Sequence, residues 1–396
     1  MTSYLLSNEV PADVELAISE IEKAGGEITP SFVGRLRQQL GDADRSRVVV
    51  ELALGTLRAR ALGKARPGWL FTRQMAEQAT HPVVAAYHAE AFRGLDIVLD
   101  ICTGPGVDAS ALAQVVNRVI TVEADQQVHA IATSNLLRHD VHNVELLHGQ
   151  WPDDRIRQQR WDGVWADPSR RSDGRRVFDA KQYEPALSSI PDARRVGVKV
   201  GPGDKITTQS FSSEYVGVAG ECRERILWRG DGRPRPLVTL LSEGHAPVSW
   251  SPQDGDVRHQ PSVVNSGSYL IEPHNAIIAS GAVGAFFVEQ GASVLDTNIA
   301  YGILDSAPDP SPWYDTYRIE AILQGVPLRR IQEEVRSRQW GSGTVIKKRG
   351  WDKDPEQFRR QLDFVSDGEP GVILVARVGS AHVTILASVE VRRESL

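Results

Sequence analysis

The stretch VLDICTGPGVDASALA, residues 98–113, decides the fold class of this chain. It joins an apolar run to an alanine-rich run through a turn that contains Gly104 and Gly106. A glycine-rich turn between a strand and a helix lets the backbone approach a ligand closely, with the free N–H groups of the helix start behind it. The stretch therefore predicts an α/β domain that binds a ligand at this turn.

Strand-like and helix-like segments alternate downstream of residue 96, which is typical of a parallel sheet with crossover helices. After residue 220, the runs CRERILW and PLVTLL predict two more strands, expected to end the sheet as an antiparallel pair. The runs that predict the parallel strands cover residues 97–101, 119–124, 143–148, 162–167 and 195–200.

The residues before the sheet are expected to be helical. Thr29 and Pro30 predict an N-cap with proline at the first helical position, and Gly25 and Gly26 predict the end of the preceding helix. A helical segment is also expected over residues 72–92, where Pro82 either begins a new helix or kinks this one. The spacing of four further residues predicts one buried helical face, formed by Val50, Leu54, Leu57 and Ala61.

The composition restricts the class of protein. The 396 residues suggest two or three domains of roughly 150 residues each, and 41% apolar with 24% charged residues is usual for a globular chain. No apolar run has the ~20 residues that span a bilayer, and the N-terminus lacks the features of a signal peptide. We therefore expect no membrane segment. The two cysteines, Cys102 and Cys222, fit a reducing compartment and are too few for a cysteine-rich zinc site, so we expect a cytoplasmic protein without a metal site.

The net charge of -6 is unevenly distributed along the chain. Residues 155–176 contain seven arginines and three aspartates, and residues 313–361 contain eleven basic and seven acidic residues. Two basic segments in an acidic chain suit a protein that contacts a polyanion through selected surfaces. Solvated surface charge is the alternative for each segment.

Asp100 and Glu123 indicate which adenosine-containing cofactor the turn binds. Gly104, Gly106 and Ala109 fit the dinucleotide pattern G-x-G-x-x-A, and Glu123 lies at the spacing expected for a ribose contact. However, a carboxylate on Asp100 would repel a pyrophosphate and would pair with a cofactor that carries an ammonium group. S-adenosylmethionine has that character, and its adenine is expected near Gly149. The predicted cofactor-binding residues are Asp100, Thr103, Gly104, Gly106, Glu123, Ala124, Gln150 and Trp151.

Asp167 and Pro168 are the candidate catalytic residues. They follow the fourth predicted strand, so Asp167 is expected on the ligand edge of the sheet. The proline restricts the backbone of Asp167 and aims its side chain and carbonyl. Such an acceptor pair could hold an exocyclic amine with its lone pair aligned for transfer, which needs orientation more than a strong base.

Seven basic residues are candidates for contact with phosphates of a nucleic acid. The alternatives are structural: the arginines could cap carbonyls, Lys199 could snorkel, and lysines could protect an edge strand. Glu272-Pro273-His274-Asn275 is interpreted as a helix entry with proline in its first turn, not as a metal site. The seven candidates are Arg170, Arg171, Arg175, Lys199, Lys347, Lys348 and Arg349.

Several segments together resemble the class I S-adenosylmethionine-dependent methyltransferases, in the branch with a C-terminal THUMP-like domain. Within the predicted sheet these are VLDICTGPGVDASALA, ITVEAD and WADPSRR; outside it they are QATHPVVAAYHAEAF, YLIEPHNAIIASG and TVIKKRGWDKDPEQFRRQL. The sequence departs from the common loop at Cys102, where a glycine often lies, and at Gln150, where an acid often contacts adenine.

The resemblance implies a fold class and a domain order. The fold class is α/β, with a Rossmann-like class I methyltransferase sheet, an N-terminal helical region and a C-terminal α+β THUMP-like region. The implied domains are a helical domain (1–93), a methyltransferase core (94–245), a linker with a small ferredoxin-like insert (246–310) and a THUMP-like domain (311–396). Carried over, Asp100, Gly104 and Gly106 form the cofactor loop, Glu123 holds the ribose, and Asp167-Pro168 is the catalytic motif.

The expected function is transfer of a methyl group from S-adenosylmethionine to a base nitrogen of RNA. THUMP domains are associated with RNA modification, which implies an RNA partner, with tRNA and rRNA both left open. Three alternatives remain: an NAD-dependent oxidoreductase, a non-catalytic RNA-binding protein on a methyltransferase scaffold, and a small-molecule methyltransferase.

Overall fold

The computed structural model describes residues 2–7, 9–169, 171–172, 175–176, 179–206, 210–230, 236–253 and 264–391 of the chain. Within these ranges, the side chains of residues 2, 171, 172, 175, 176, 180 and 391 are not described. The chain forms two compact units. The first comprises Met1–Ser213 and Ile226–Arg235, and the second comprises Glu214–Arg225 and Pro236–Leu396.

The first unit begins with helices, as predicted. Thr29 accepts a hydrogen bond from the backbone N–H of Phe32, and Pro30 begins the helix that follows. Gly25 and Gly26 have positive φ angles just after the preceding helix, and Pro82 begins a new helix. These helices are α1 (Thr2–Leu5), α2 (Glu9–Lys23), α3 (Pro30–Leu40), α4 (Ala43–Ala61), α5 (Arg73–Gln78) and α6 (Pro82–Glu90).

The predicted buried face of α4 is wrong. Val50, Leu54 and Leu57 are only half-buried and Ala61 is exposed. The buried face lies beside them and consists largely of small residues, because a neighbouring segment packs against the helix backbone there. A Cβ added at Gly55 would lie 2.1 Å from the carbonyl oxygen of Phe71. The buried residues are Ser46, Val49, Leu52, Ala53, Gly55, Thr56 and Ala59.

The sheet of the first unit contains the five predicted parallel strands in the order β7-β4-β1-β2-β3, and each lies within one residue of its predicted bounds. Helices connect β1, β2, β3 and β4 in turn, as expected for crossovers, whereas β5, β6 and two 3₁₀ turns lead from β4 to β7. The elements are β1 (Ile97–Ile101), α7 (Val107–Leu112), β2 (Arg118–Glu123), α8 (Gln126–Arg138), β3 (Val144–His148), α9 (Asp154–Arg157), β4 (Gly163–Ala166), β5 (Arg171–Ser172), β6 (Arg175–Arg176) and β7 (Arg195–Val200). Two 3₁₀ turns, Ala180–Gln182 and Leu187–Ser189, lie between β6 and β7.

All six residues of β7 are buried, so the strand is covered on both faces. Val196, Val198 and Val200 belong to one apolar core cluster. On the opposite face, a Cβ added at Gly197 would lie 2.8 Å from the indole of Trp165. Because side chains alternate along a strand, Lys199 lies on the same face as Gly197.

The predicted antiparallel pair of CRERILW and PLVTLL is wrong. These runs form most of β9 (Glu221–Gly230) and β10 (Val238–Leu241), but β8 (Ser212–Val218), a strand that the sequence analysis missed, lies between them. Ala219 and Gly220, both at positive φ, form the tight turn from β8 to β9, which matches the twist of a hairpin. β10 pairs in parallel with β8 and antiparallel with β11 (Val248–Trp250).

The second unit also contains a seven-stranded sheet in the order β13-β14-β12-β15-β18-β17-β16. The predicted boundary after residue 310 separates β12 from β15, although these strands pair antiparallel. The independence of the four predicted domains stays a prediction. The elements are β12 (Tyr269–Pro273), α10 (Asn275–Ser280), α11 (Val283–Glu289), β13 (Ser293–Asp296), β14 (Ile299–Leu304), β15 (Tyr314–Gln324), α12 (Leu328–Ser337), β16 (Val345–Arg349), α13 (Pro355–Arg359), β17 (Gly371–Val378) and β18 (Ala381–Val391).

The segment Glu272-Pro273-His274-Asn275 leads into a helix, but its proline lies outside that helix. Pro273 is the last residue of β12, and His274 is the N-cap of α10, with its side chain accepting from the N–H of Ala276. The expectation of proline in the first turn is therefore corrected. The proline instead ends the strand, because it lacks the N–H that would continue the ladder.

Candidate active site

Asp100 lies near the carboxyl end of β1 and is buried, with 1% of its surface exposed. Its Oδ2 accepts a hydrogen bond from the Thr121 hydroxyl at 2.7 Å, which comes from the paired position on β2. Its Oδ1 is also buried and has no hydrogen-bond partner among the described residues. A buried carboxylate oxygen without a partner is costly, so this atom marks a place for a donor from a ligand.

The surroundings of Asp100 are acidic. The pKa of its carboxyl is raised to about 8, mainly by burial and next by the negative charge of Asp108, while the hydrogen bond from Thr121 opposes the shift. Asp167 and Glu123 contribute smaller repulsions of the same sign. A bound cation would relieve this repulsion and favour the ionised form of Asp100.

The turn after β1 has the backbone conformation expected of a glycine-rich loop. Gly104 and Gly106 have φ angles of 55° and 93°, and Gly106 is the N-cap of α7. Cys102, where the common loop has a glycine, also lies in the left-handed region, at φ 73°. The turn is therefore kept at this position in spite of a side chain that makes the conformation costly. Thr103 is buried and its hydroxyl lies 2.6 Å from that of Thr121.

Glu123, the last residue of β2, is held against this loop. Its Oε2 accepts from the N–H of Gly104 and its Oε1 from the N–H of Asp125, both at 3.0 Å. Burial raises the pKa of this carboxyl above its usual range, and the two backbone hydrogen bonds oppose that shift. Since each carboxylate oxygen can accept more than one hydrogen bond, both retain capacity for hydroxyl donors. The adjacent Ala124 is exposed.

Gln150 and Trp151, the predicted adenine contacts, differ in their surroundings. Gln150 is exposed just after β3. Trp151 is 7% exposed, belongs to the core of the first unit, and donates from its indole N–H to the carbonyl of Ser189 at 3.0 Å. Trp151 therefore has a structural role, and its contact with adenine stays a prediction, as does that of Gln150.

Asp167 follows β4 at the same edge of the sheet as Asp100. Its N–H donates to the carbonyl of Ile101 at 3.1 Å, which ties it to the end of β1. Its Oδ2 accepts from the Lys199 ammonium at 2.8 Å, and its side chain is 25% exposed. Pro168 is buried. The backbone and the side chain of Asp167 are thus both fixed.

Three residues that the sequence analysis did not assign to the site lie behind Asp167. The Lys199 ammonium also donates to the Thr80 hydroxyl at 2.9 Å, and that hydroxyl donates to Asp108 Oδ2 at 2.6 Å. His88 Nδ1 lies 3.7 Å from the other oxygen of Asp108. Thr80 and His88 precede the sheet, in a region whose periodicity predicts only helices. The one sequence feature that could have pointed to them is the resemblance of their segment, QATHPVVAAYHAEAF, to the methyltransferase family.

The predicted nucleic-acid contacts of the first unit have different outcomes. Lys199 is 5% exposed and pairs with Asp167, which favours a role within the site over contact with a phosphate. Arg170 lies outside the described residues. The backbones of Arg171 and Arg175 belong to the two-stranded pair β5–β6, but their side chains are not described. Their contact with RNA stays a prediction.

In the second unit, two of the three predicted cations on β16 are paired with an acid. Lys347 and Arg349 both bond to Glu272, which is 6% exposed, and the Arg349 guanidinium lies 3.2 Å from Glu272 Oε1. Lys347 also lies over the ring of Tyr317, 5.1 Å from its centre. Lys348 points elsewhere: it is exposed and donates to the carbonyl of Lys353 at 3.0 Å.

The parallel sheet, with acids at the ends of β1, β2 and β4 around a glycine loop, is the architecture of a class I methyltransferase. A solved structure from Porphyromonas gingivalis, described as a methyltransferase, has the same fold: the TM-score is 0.72 with 19% identity, over 97% of this chain and 99% of that one. The predicted fold class is therefore confirmed.

Within that class, the chain is similar to two relatives from Mycobacterium tuberculosis strains, named uncharacterized S-adenosylmethionine-dependent methyltransferases. Each is 28% identical over 88% of this chain and 98% of its own length. Residues 315–388 match the THUMP domain-like family. A protein-L-isoaspartate O-methyltransferase from Shewanella loihica matches 24% of this chain and 37% of its own length, at 35% identity. The resemblance stated from the sequence motifs is confirmed.

The described residues contain neither a membrane-spanning helix nor a cluster of metal-ligating side chains. No helix among them combines the length and the apolar character that a bilayer crossing requires. Nor do the described His, Cys, Asp and Glu residues form a group of three or more that could hold a metal ion.

Proposed function

We propose that this protein transfers the methyl group of S-adenosylmethionine to a base nitrogen of RNA. The observation that carries the proposal is the buried Oδ1 of Asp100, which has no hydrogen-bond partner in the described part of the chain and lies beside a glycine loop and among other acids. A carboxylate oxygen in this position accepts a hydrogen bond from an ammonium group, and its negative charge repels a phosphate.

The residues present fit the cofactor. Asp100 would accept from the ammonium group, the backbone of Gly104 and Gly106 would allow close approach, and Glu123 would accept from the ribose hydroxyls. S-adenosylmethionine supplies an electrophilic methyl carbon; the nitrogen lone pair forms the new N–C bond while the C–S bond breaks and its electrons stay on sulfur. The names of the two mycobacterial relatives support the same cofactor.

Asp167 would hold the acceptor. Its carboxylate and the carbonyl before Pro168 would accept hydrogen bonds from an N–H group and orient the nitrogen lone pair. The loss of the amine proton to water after transfer needs no strong base at this position. Because Asp100, Asp108 and Glu123 lie around the site, their acidic groups disfavour the binding of a further negatively charged group. This charge favours a neutral amine over a carboxylate acceptor of the kind named in the Shewanella relative.

An RNA substrate is supported by the second unit and by the distribution of charge. The THUMP domain-like match covers residues 315–388 and overlaps most of the basic segment 313–361. Exposed cations such as Lys348 would contact phosphates without reading bases. tRNA and rRNA both remain candidates, and a cytoplasmic location stays a prediction.

The decisive experiment compares RNA from cells with and without the gene by mass spectrometry of nucleosides. A methylated nucleoside should disappear with the gene and return with the wild-type copy. Asp167→Ala should not restore it, while the purified variant binds S-adenosylmethionine within about threefold of wild type. Loss of cofactor binding in this variant would instead make Asp167 structural.

Calorimetry with each cofactor separates the proposal from an NAD-dependent oxidoreductase. The proposal expects binding of S-adenosylmethionine and none of NAD. Binding of S-adenosylmethionine without methylation of total RNA would favour the non-catalytic scaffold, and methylation confined to small molecules would favour the remaining alternative.

A further inference from the structure

We propose that Lys199 is a positioning residue for Asp167, and that Thr80 and Asp108, which belong to other elements than β7, hold Lys199 in place. The inference rests on the proposed function, because it assigns a task to Asp167. The N-terminal helical region would then complete the active site through Thr80, the residue two positions before α6.

The contacts form one continuous chain. The Lys199 ammonium lies 2.8 Å from Asp167 Oδ2 and 2.9 Å from the Thr80 hydroxyl, which donates to Asp108 at 2.6 Å. Thr80 is 2% exposed and Lys199 is 5% exposed. Each group is therefore held by direct hydrogen bonds in a place from which bulk water is largely excluded.

The fold explains why a lysine occupies this position. Its neighbours on β7, Val198 and Val200, face the opposite side of the sheet and pack in the core. A buried ammonium is costly unless it is paired and hydrogen-bonded. Asp167 meets that need directly, and Asp108 meets it through Thr80, so the charge of Lys199 is balanced on two sides.

The ion pair fixes what Asp167 can do. A carboxylate bonded to an ammonium is stabilised in its ionised form and is a weak base, so it accepts hydrogen bonds without taking the proton. With Oδ2 held by Lys199, the plane of the carboxylate is set. That orientation aligns an acceptor amine, which is where transfer gains its rate.

Several titratable groups face Asp167 and bear on its ionisation. Lys199 from β7 favours the charged form, whereas Asp100 from β1 opposes it. Cys102, in the loop, is half-buried, and the loss of hydration there raises the pKa of its thiol well above the usual range, so the thiol stays neutral. Asp108 from α7, with His88 from α6 beside it, lies behind the Thr80 hydroxyl. Lys199 contacts Asp167 directly, at 2.8 Å.

A double-mutant cycle tests the pair without any activity measurement. Wild type, Lys199→Met, Asp167→Asn and the double variant are compared by urea unfolding of the full chain near neutral pH. We expect the two substitutions to be coupled by about tenfold in the unfolding equilibrium constant. Additive effects would show that the ion pair contributes nothing and would overturn the proposal, whatever the enzyme methylates.

Kinetics with RNA from cells that lack the gene test the positioning role. At saturating cofactor, Lys199→Met should lower kcat about 100-fold, with KM for RNA and cofactor affinity changed less than tenfold. The acid limb of the kcat profile should move to higher pH by about one unit or more, because Asp167 loses the positive charge of Lys199. Lys199→Arg, which keeps the charge, should keep the acid limb of wild type.

Thr80→Val tests the anchor at constant shape. It should lower kcat about tenfold and keep most of the coupling between Lys199 and Asp167. Thr384→Val is the matched control, since Thr384 is also buried and donates to a carbonyl, that of Gly325, within the second unit. It should leave kcat and the pH profile unchanged.

The outcomes separate this proposal from the proposed function. A coupled pair in a wild-type protein that methylates no RNA would reject the function and keep the ion pair as a structural one. Active wild type with an unchanged acid limb and kcat in Lys199→Met would reject the positioning role and keep the function.

Discussion

Asp100 in the first unit and Glu272 in the second are both buried carboxylates on strands, yet their surroundings are opposite. Asp100 has one oxygen without a partner among the described residues and is surrounded by Asp108, Asp167 and Glu123. Glu272 bonds to two cations and accepts from the Tyr317 hydroxyl at 3.3 Å.

This difference indicates that Asp100, and not Glu272, is the acid expected to contact a ligand. A buried acid whose charge and hydrogen bonds are satisfied within the protein stabilises the fold and needs nothing more. A buried acid among other acids carries a cost that a bound cation can remove, which is a signature of function. The two residues can therefore be used as controls for each other.

The largest expected effect is on cofactor affinity in Asp100→Asn. The variant keeps the shape of the side chain but loses the charge that pairs with the ammonium group, so binding of S-adenosylmethionine should weaken by at least about 100-fold, or ~3 kcal/mol. Calorimetry measures this. The stability of the variant near neutral pH should equal or exceed that of wild type, because folding of wild type must keep a proton on Asp100 and the asparagine carries no such cost.

Glu272→Gln should show the reverse. Lys347 and Arg349 lose their shared acid, and because both are partly exposed the cost should be about 2 kcal/mol of unfolding free energy, below that of a fully buried pair. Urea unfolding measures this cost. Cofactor affinity should not change; a change would show that the two acids are not independent.

Asp100 should also make the free energy of unfolding depend on pH. Because the pKa of Asp100 is raised to about 8, the folded protein keeps a proton that the unfolded chain has released above its usual value of 3.8. Its contribution should therefore lower the unfolding free energy as pH rises between these values, by up to about 1.4 kcal/mol per pH unit, and become constant above the higher one.

Unfolding of wild type and Asp100→Asn across this pH range measures the contribution as a difference. Identical curves would contradict the raised pKa. A related consequence is that cofactor binding near neutral pH should release a proton, seen as a dependence of the binding heat on the buffer, and Asp100→Asn should not show it.

The smallest expected effect concerns the cations of β16. Lys348→Ala should weaken binding of bulk RNA by only a few fold, reduce the salt dependence by about one charge, and leave stability unchanged. Lys347→Ala, in contrast, should lower the free energy of unfolding by ~1 kcal/mol, because Glu272 loses one of its partners. Fluorescence anisotropy and urea unfolding measure the two effects, and equal RNA affinity in Lys348→Ala would limit β16 to a structural role.

Local patterns were enough for the elements that depend on a few neighbouring residues. The glycine turn at residues 104–106, the cap at Thr29-Pro30 and the five parallel strands follow from backbone preferences and from continuous apolar runs. The missed strand β8 and the wrong face of α4 have another cause, since both depend on which distant segment packs against them, as Phe71 does at Gly55.

The candidate site divides in the same way. The sequence alone determined the parallel sheet, its glycine loop and the positions of Asp100, Glu123 and Asp167 at strand ends, because strand direction and loop chemistry are encoded within a few residues. Only the tertiary structure decided that Lys199 pairs with Asp167, that Thr80 joins them, and that Lys347 and Arg349 share Glu272. A buried charge takes its partner from whatever the fold brings within hydrogen-bond distance, and no local pattern records that distance.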